Sequence, residues 1–218
     1  MKFPFDMKSF SRIFFLSILL FTGICLHAQT KTAEPKLFPL LDSLTLDTMK
    51  GYTDLAEAMK NPDQVVKLVL RKQHYKEFPK EIWMFPNLQY LDLSKNQITD
   101  YPDSLGKLKN LQVLHLSKNK LEALPRELGD NVNLKILDIN QNELTMLPPQ
   151  IGKLKKLEYL DLWGNDIGIF PDEMKELADN LKVMDLRVIL INFTAQDRIR
   201  TMLPKTLIYF DPPCKCNQ

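Results

Sequence analysis

Asp138-x-Asn140-x-Asn142 begins as a calcium-binding loop begins, with oxygen-bearing side chains at alternate positions that could converge on a hard cation. The likeness stops there. The sixth position of such a loop needs glycine for its sharp turn and holds Glu143, and the twelfth, where a bidentate carboxylate closes the shell, holds Pro149. Cys214-x-Cys216 leaves three readings open: a metal-binding pair, a small strained disulfide or a free tail; no histidine or further cysteine stands nearby to favour the first. His74 and His115 have no nucleophile spaced to use them, and Asn192-Phe193-Thr194 is a formal glycosylation sequon with meaning only in a eukaryotic secretory route. The seven glycines never cluster into a phosphate-cradling loop. We therefore expect no catalytic residue, no cofactor and no metal site, and a chain that is not an enzyme.

Asp138 matters more as one member of a series. Residues 88–171 carry one pattern four times: Leu88-x-x-Leu91-x-Leu93-x-x-Asn96-x-Ile98-x-x-Tyr101-Pro102, then the same frame from Leu111, Leu134 and Leu157, always 23 residues on. A fixed period of that length marks a solenoid of stacked supersecondary units, none of which can bury its apolar face alone. Leu-x-x-Leu-x-Leu supplies a short strand whose leucines point one way, so stacking buries leucine on leucine and lets the strands pair in parallel. Asn96, Asn119, Asn142 and Asn165 recur where each coil turns out of its strand. A side-chain amide both donates and accepts there, which predicts an asparagine ladder that satisfies otherwise orphaned main-chain groups. The apolar-Pro step after it opens the outer segment of the coil, and Gly106, Gly129 and Gly152 fall on the outer turns at the same period.

These residues resemble the leucine-rich repeat family, most closely its 23-residue type with a Leu-Pro step, as in bacterial secreted proteins and the Ras-associated intracellular repeat proteins. The resemblance implies an α/β solenoid: a right-handed horseshoe with about seven parallel strands on the concave face, short helices or turns on the convex face, and an N-terminal helical cap. It also implies a surface for binding another protein.

The remaining chain is expected to prepare or close this array. Residues 1–28 read as a signal peptide, with Lys2, Lys8 and Arg12 before an apolar run of about 14 residues and Leu26-His27-Ala28 as the cleavage site. That run is shorter than the roughly 20 residues a spanning helix needs. A lipoprotein signal through Cys25 is the weaker reading, since Ile24 stands where a small residue belongs. Residues 29–47 read as a tail in which Leu37, Phe38, Leu40 and Leu41 could fold back, and residues 48–213 as the repeat domain. Within it, a cap helix is expected at residues 53–60, repeats from Val65, a degenerate copy at Leu181-x-x-Met184-x-Leu186 with Ile189 in the Asn position, a helix near residues 194–203, and a closing strand at residues 206–211 ended by Pro212-Pro213. Residues 214–218 form a C-terminal tail. The whole chain has 29 basic and 27 acidic residues, and without residues 1–28 it has 26 of each. That balance speaks against nucleic acid as a partner.

Alternation sends the residues between the leucines to the concave face. The third position of successive copies gives Lys67, Tyr90, Val113, Ile136, Tyr159, Val183 and Tyr209. The fifth gives Val69, Asp92, His115, Asp138, Asp161, Asp185 and Asp211, and the seventh Arg71, Ser94, Ser117, Asn140, Trp163 and Arg187. Neighbouring Asp138, Asp161 and Asp185 would repel one another and favour a basic visitor, although exposed carboxylates can also splay into water. Tyr159 and Trp163 flank Asp161 as amphipathic aromatics of the kind that dominate interfaces; the alternative has Trp163 folded over the rim onto its neighbour. The expected contact patch is Tyr159, Asp161 and Trp163, joined by Ile136, Asp138, Asn140, Asp185 and Arg187. The expected function is protein or peptide binding, with a basic segment as a fitting ligand and no small-molecule ligand indicated, by a monomer exported from a bacterial cell to the periplasm, cell surface or medium. An intracellular signalling scaffold with a misread N-terminal segment remains the alternative.

Overall fold

The computed structural model describes residues 37–211. The signal segment with Cys25, residues 29–36 of the tail, Pro212-Pro213 and Cys214 with Cys216 lie outside them.

Seven strands form one parallel sheet in chain order: β1 Lys67–Val69, β2 Tyr90–Asp92, β3 Val113–His115, β4 Ile136–Asp138, β5 Tyr159–Asp161, β6 Val183–Leu186 and β7 Leu207–Phe210. Register follows the repeat, so Leu68, Leu91, Leu114, Leu137 and Leu160 stand side by side, followed by Met184 and Ile208. The five leucines are fully buried, and so is Met184. Each strand is only three or four residues long, too short to be stable alone; it is held by the ladder to its neighbours and by the leucines beneath. The degenerate sixth copy thus keeps its place in the sheet although its spacing is one residue longer.

The convex side consists of 3₁₀ turns, at Lys80–Met84, Asp103–Lys107, Arg126–Asp130, Pro149–Lys153 and Asp172–Leu177, each following a proline. Gly106 and Gly129 lie where the next coil passes: a Cβ on either would meet the carbonyl oxygen of Glu127 or Gln150 at 2.6 Å, and Gly152 is tighter still against Glu173. Only glycine permits that approach.

The asparagine ladder spans the coils. Asn142 Oδ1 accepts from Leu121 N at 3.0 Å, and its Nδ2 donates to Leu116 O and Ile139 O. Asn96, Asn119 and Asn165 repeat the arrangement. The residue before each Asn is left-handed, and of Lys95, Lys118, Gln141 and Gly164 only the last is glycine. In the sixth copy Val188 takes this conformation at φ 57°, and Ile189 fills the Asn place as a buried hydrophobe. Val188 N donates to the Asp211 carboxylate, whereas Gly164 N donates to the main-chain oxygen of the following coil, at Arg187.

Both ends are closed. Tyr52 pairs by its main chain with the edge of β1, and α2 Leu55–Ala58, capped by Asp54, buries Ala58 against the first coil. At the far end α3 Phe193–Met202 presses Ile199 onto the core, and Leu203 is buried just beyond it. Asn192, the first residue of the sequon, is its N-cap, accepting from Ala195 N at 2.9 Å.

Two expectations need correction. Tyr209 pairs with Asp185, so it belongs to the fifth row, and Leu207, paired with Val183, completes the third; Asp211 falls in neither. The final turn is one residue shorter than the Pro86 turn it resembles, since Leu207 stands three residues after Pro204 and Tyr90 four after Pro86. Nor does the folded unit begin at residue 48 behind a tail. Residues 43–48 form a helix, α1 Ser43–Thr48, and residues 38–49 are packed on the sheet.

Candidate functional site

Alternation places the three outward rows on the concave side, and two different surfaces result. Over β1 to β4 the third-position row is covered by residues 38–49. Leu46 of α1 is buried with Val66 and Val113, and Phe38, Leu41 and Met49 pack on the same group together with Tyr90 and Ile136. Burial, with Asp92 and Asp47 nearby, pushes the Tyr90 phenol up to about 12. Over β5 to β7 nothing among the described residues covers the row. Tyr159, Trp163 and Val183 are half-exposed, and Leu207 and Tyr209 are exposed.

The aspartates of the fifth row are tied to their own strand ends. Asp161 Oδ1 accepts from Trp163 N at 3.0 Å, Asp185 Oδ1 from Arg187 N at 3.1 Å and Asp92 Oδ1 from Ser94 N at 2.8 Å, each two residues on. The carboxylate here does structural work that the main chain leaves undone as it leaves the ladder. Their other oxygens differ. Asp138 meets His115 Nδ1 at 3.1 Å, Asp185 is gripped by the Arg187 guanidinium, and Asp161 accepts only the neutral Asn140 amide, at 2.7 Å. Among the described residues Asp161 has no ion-pair partner. Burial holds its pKa above the ordinary 3.8, Asp138 and Asp185 add to that rise, and the two hydrogen bonds oppose it.

The repeat spacing, the parallel register, the buried leucines and the asparagine ladder occur together over the same coils that family profiles match: two copies of leucine rich repeats at residues 86–127, and a leucine rich repeat at residues 109–167. The chain belongs to the leucine-rich repeat family. Comparison with curated proteins returns no match. Among solved structures, this leucine-rich repeat chain is similar to a leucine-rich repeat protein of Leptospira interrogans, at 39% identity and TM-score 0.68, over 71% of this chain and 39% of that one. It is also similar to the plant peptide hormone receptor RGFR1 in its complex with RGF2, at 30% identity and TM-score 0.57, over 67% of this chain and 24% of that one. This chain therefore spans less than half the length of either.

The leucine-rich repeat frame divides the eight expected contact residues. Tyr159, Asp161, Trp163, Asp185 and Arg187 share the uncovered half on adjacent coils, with Arg187 5.5 Å from the Tyr209 ring. Ile136 lies against the N-terminal segment, and Asp138 and Asn140 form the border, bonded to His115 and Asp161. Sequence reasoning missed Leu207 as a face residue, and it missed Lys67, Gln89 and Gln112 as the groups that grip residues 38–49. The available signal was the second repeat position. It is glutamine in Gln89 and Gln112 but charged in Lys135, Glu158 and Lys182, as expected if only the first two meet main chain.

Proposed function

We propose that this leucine-rich repeat chain is a non-enzymatic binding module that holds an extended protein segment against the β5 to β7 half of its concave face, with a basic side chain of that segment on Asp161. One observation carries the reading. Among the described residues Asp161 is a carboxylate without an ion-pair partner, set between two carboxylates that have basic partners and flanked along the chain by Tyr159 and Trp163. A lysine or arginine arriving there gains a charge partner and aromatic walls at once. The likeness to part of a plant peptide hormone receptor, solved in complex with RGF2, supports a binding role for the chain. The order of positive, apolar and small residues in residues 1–28 supports export of the module; the proposed setting is the periplasm, surface or medium of a bacterial cell.

The test is capture from the envelope fraction of the native host, comparing wild type with the Tyr159→Ala, Trp163→Ala double variant. Loss of a specific partner with thermal unfolding almost unchanged is the expected result. Equal capture by both proteins would remove the patch from consideration.

A further inference from the structure

Residues 38–49 are gripped by their main chain more than by their side chains. Gln89 Nε2 donates to Pro39 O at 2.9 Å and its Oε1 accepts from Leu41 N at 2.8 Å, while Gln112 Nε2 donates to Leu41 O at 2.9 Å. Lys67 Nζ donates to Leu46 O and Asp47 O, at 2.7 and 2.9 Å, placing its charge at the carbonyl end of α1. Leu46 is the one side chain of the segment that is fully buried; Leu37, Leu44 and Thr45 face outward. A grip of this kind reads an extended stretch followed by a helical turn that carries one leucine. Phe38, Leu41 and Met49 add partly buried apolar contacts, and the remaining side chains of the segment are left to solvent.

We propose that the β1 to β4 half of the concave face is a second peptide-binding groove, occupied in this structure by the chain's own residues 38–49, and that a segment of the same chemistry from another protein replaces them. The incoming segment presents main-chain amides to Gln89 and Gln112, one leucine to Val66 and Val113, and helix-end carbonyls to Lys67. The proposal does not depend on the Asp161 patch, which lies on other strands. Residues 38–49 are tethered through Lys50 and Gly51, so their effective concentration is of millimolar order and a free peptide competes poorly until they are loosened.

The test uses the full chain and a fluorescein-labelled synthetic peptide of residues 37–50. Leu46→Gly removes the anchor from the resident segment without touching the groove, so this variant is expected to bind the peptide about tenfold or more tighter than wild type. Adding Lys67→Met is expected to reverse that gain. A Leu46→Gly protein of unchanged circular dichroism that binds the peptide no better than wild type overturns the proposal. Hydrogen exchange on the wild type gives a readout that needs no variant: the Leu41 and Leu46 amides are expected to exchange through a local opening, about a hundredfold or more faster than those of Leu116 and Ile139. Equal rates at all four would make the segment part of the permanent core and overturn the proposal as well.

Discussion

Gln112 Nε2 donates to Gln89 Oε1 at 2.9 Å from one coil to the next, and the same Gln89 oxygen accepts the N–H of Leu41. The two buried amides form a rail along the sheet, and the N-terminal segment is fastened to it. Gln89→Ala is expected to speed exchange of the Leu41 amide about tenfold, the equivalent of roughly 1.4 kcal/mol of lost hydrogen bonding, with Leu114 unaffected. Residue-resolved hydrogen exchange reads both.

Asn142→Ala removes an amide whose oxygen and nitrogen together bond four main-chain groups of two coils. Each group left dry and unpaired costs about 1–3 kcal/mol. The urea midpoint is expected to fall with the slope of the transition unchanged, the sign of lost stability in one cooperative unit.

Gly129 and Gly168 form a matched pair. An alanine methyl at 129 must push the Gln150 carbonyl aside, whereas nothing lies within 4 Å of a Cβ at 168. Gly129→Ala is expected to lower the melting temperature, and Gly168→Ala to hold or raise stability by about 0.4–1 kcal/mol through a less flexible unfolded chain. Differential scanning calorimetry of the two variants compares them directly.

Val188 is a β-branched residue at φ 57° where the fifth copy has Gly164. Left-handed backbone costs an L-residue roughly 1–2 kcal/mol, and glycine returns part of that as extra unfolded entropy. Val188→Gly is accordingly expected to stabilise by about 0.5–1 kcal/mol in chemical denaturation.

Asp161 has a folded pKa above its ordinary 3.8. In the window between 3.8 and the raised value the unfolded chain has already lost the proton that the fold retains, so stability falls as pH rises through that window. Asp161→Asn is therefore expected to be stabilising at neutral pH and to lose that advantage in acid. If a basic side chain binds there, its affinity weakens as pH falls through the same window, and the Asn variant shows weak binding without that dependence. Thermal melts and peptide titrations across pH measure the two effects.

Much of this was legible beforehand because the fold is local. Leu91, Leu114 and Leu137 pair as the 23-residue spacing requires, and Asn119 bonds only to its own coil and the one before it, so a pattern along the chain becomes a pattern in space. The aspartate row was legible as a row but not in its meaning. That Asp138, Asp161 and Asp185 have three different partners depends on the identities of His115, Asn140 and Arg187 and on the rotamers that bring them together.

Periodicity and residue type alone determined the parallel sheet, the buried leucines, the ladder and, up to the sixth copy, which side chains turn to the concave side, since neighbouring coils satisfy one another and nothing distant is needed. Tertiary structure alone decided how much of that side is open. The bond from Gln112 to Leu41 joins residues 71 apart, and the bond from Asn87 to Phe38 joins residues 49 apart. A contact that closes so long a loop leaves no period in the sequence; it forms because residues 38–49, which lie outside the repeats, meet the side-chain amides of Asn87, Gln89 and Gln112 and a strip of Val66 and Val113 that no neighbouring coil could cover.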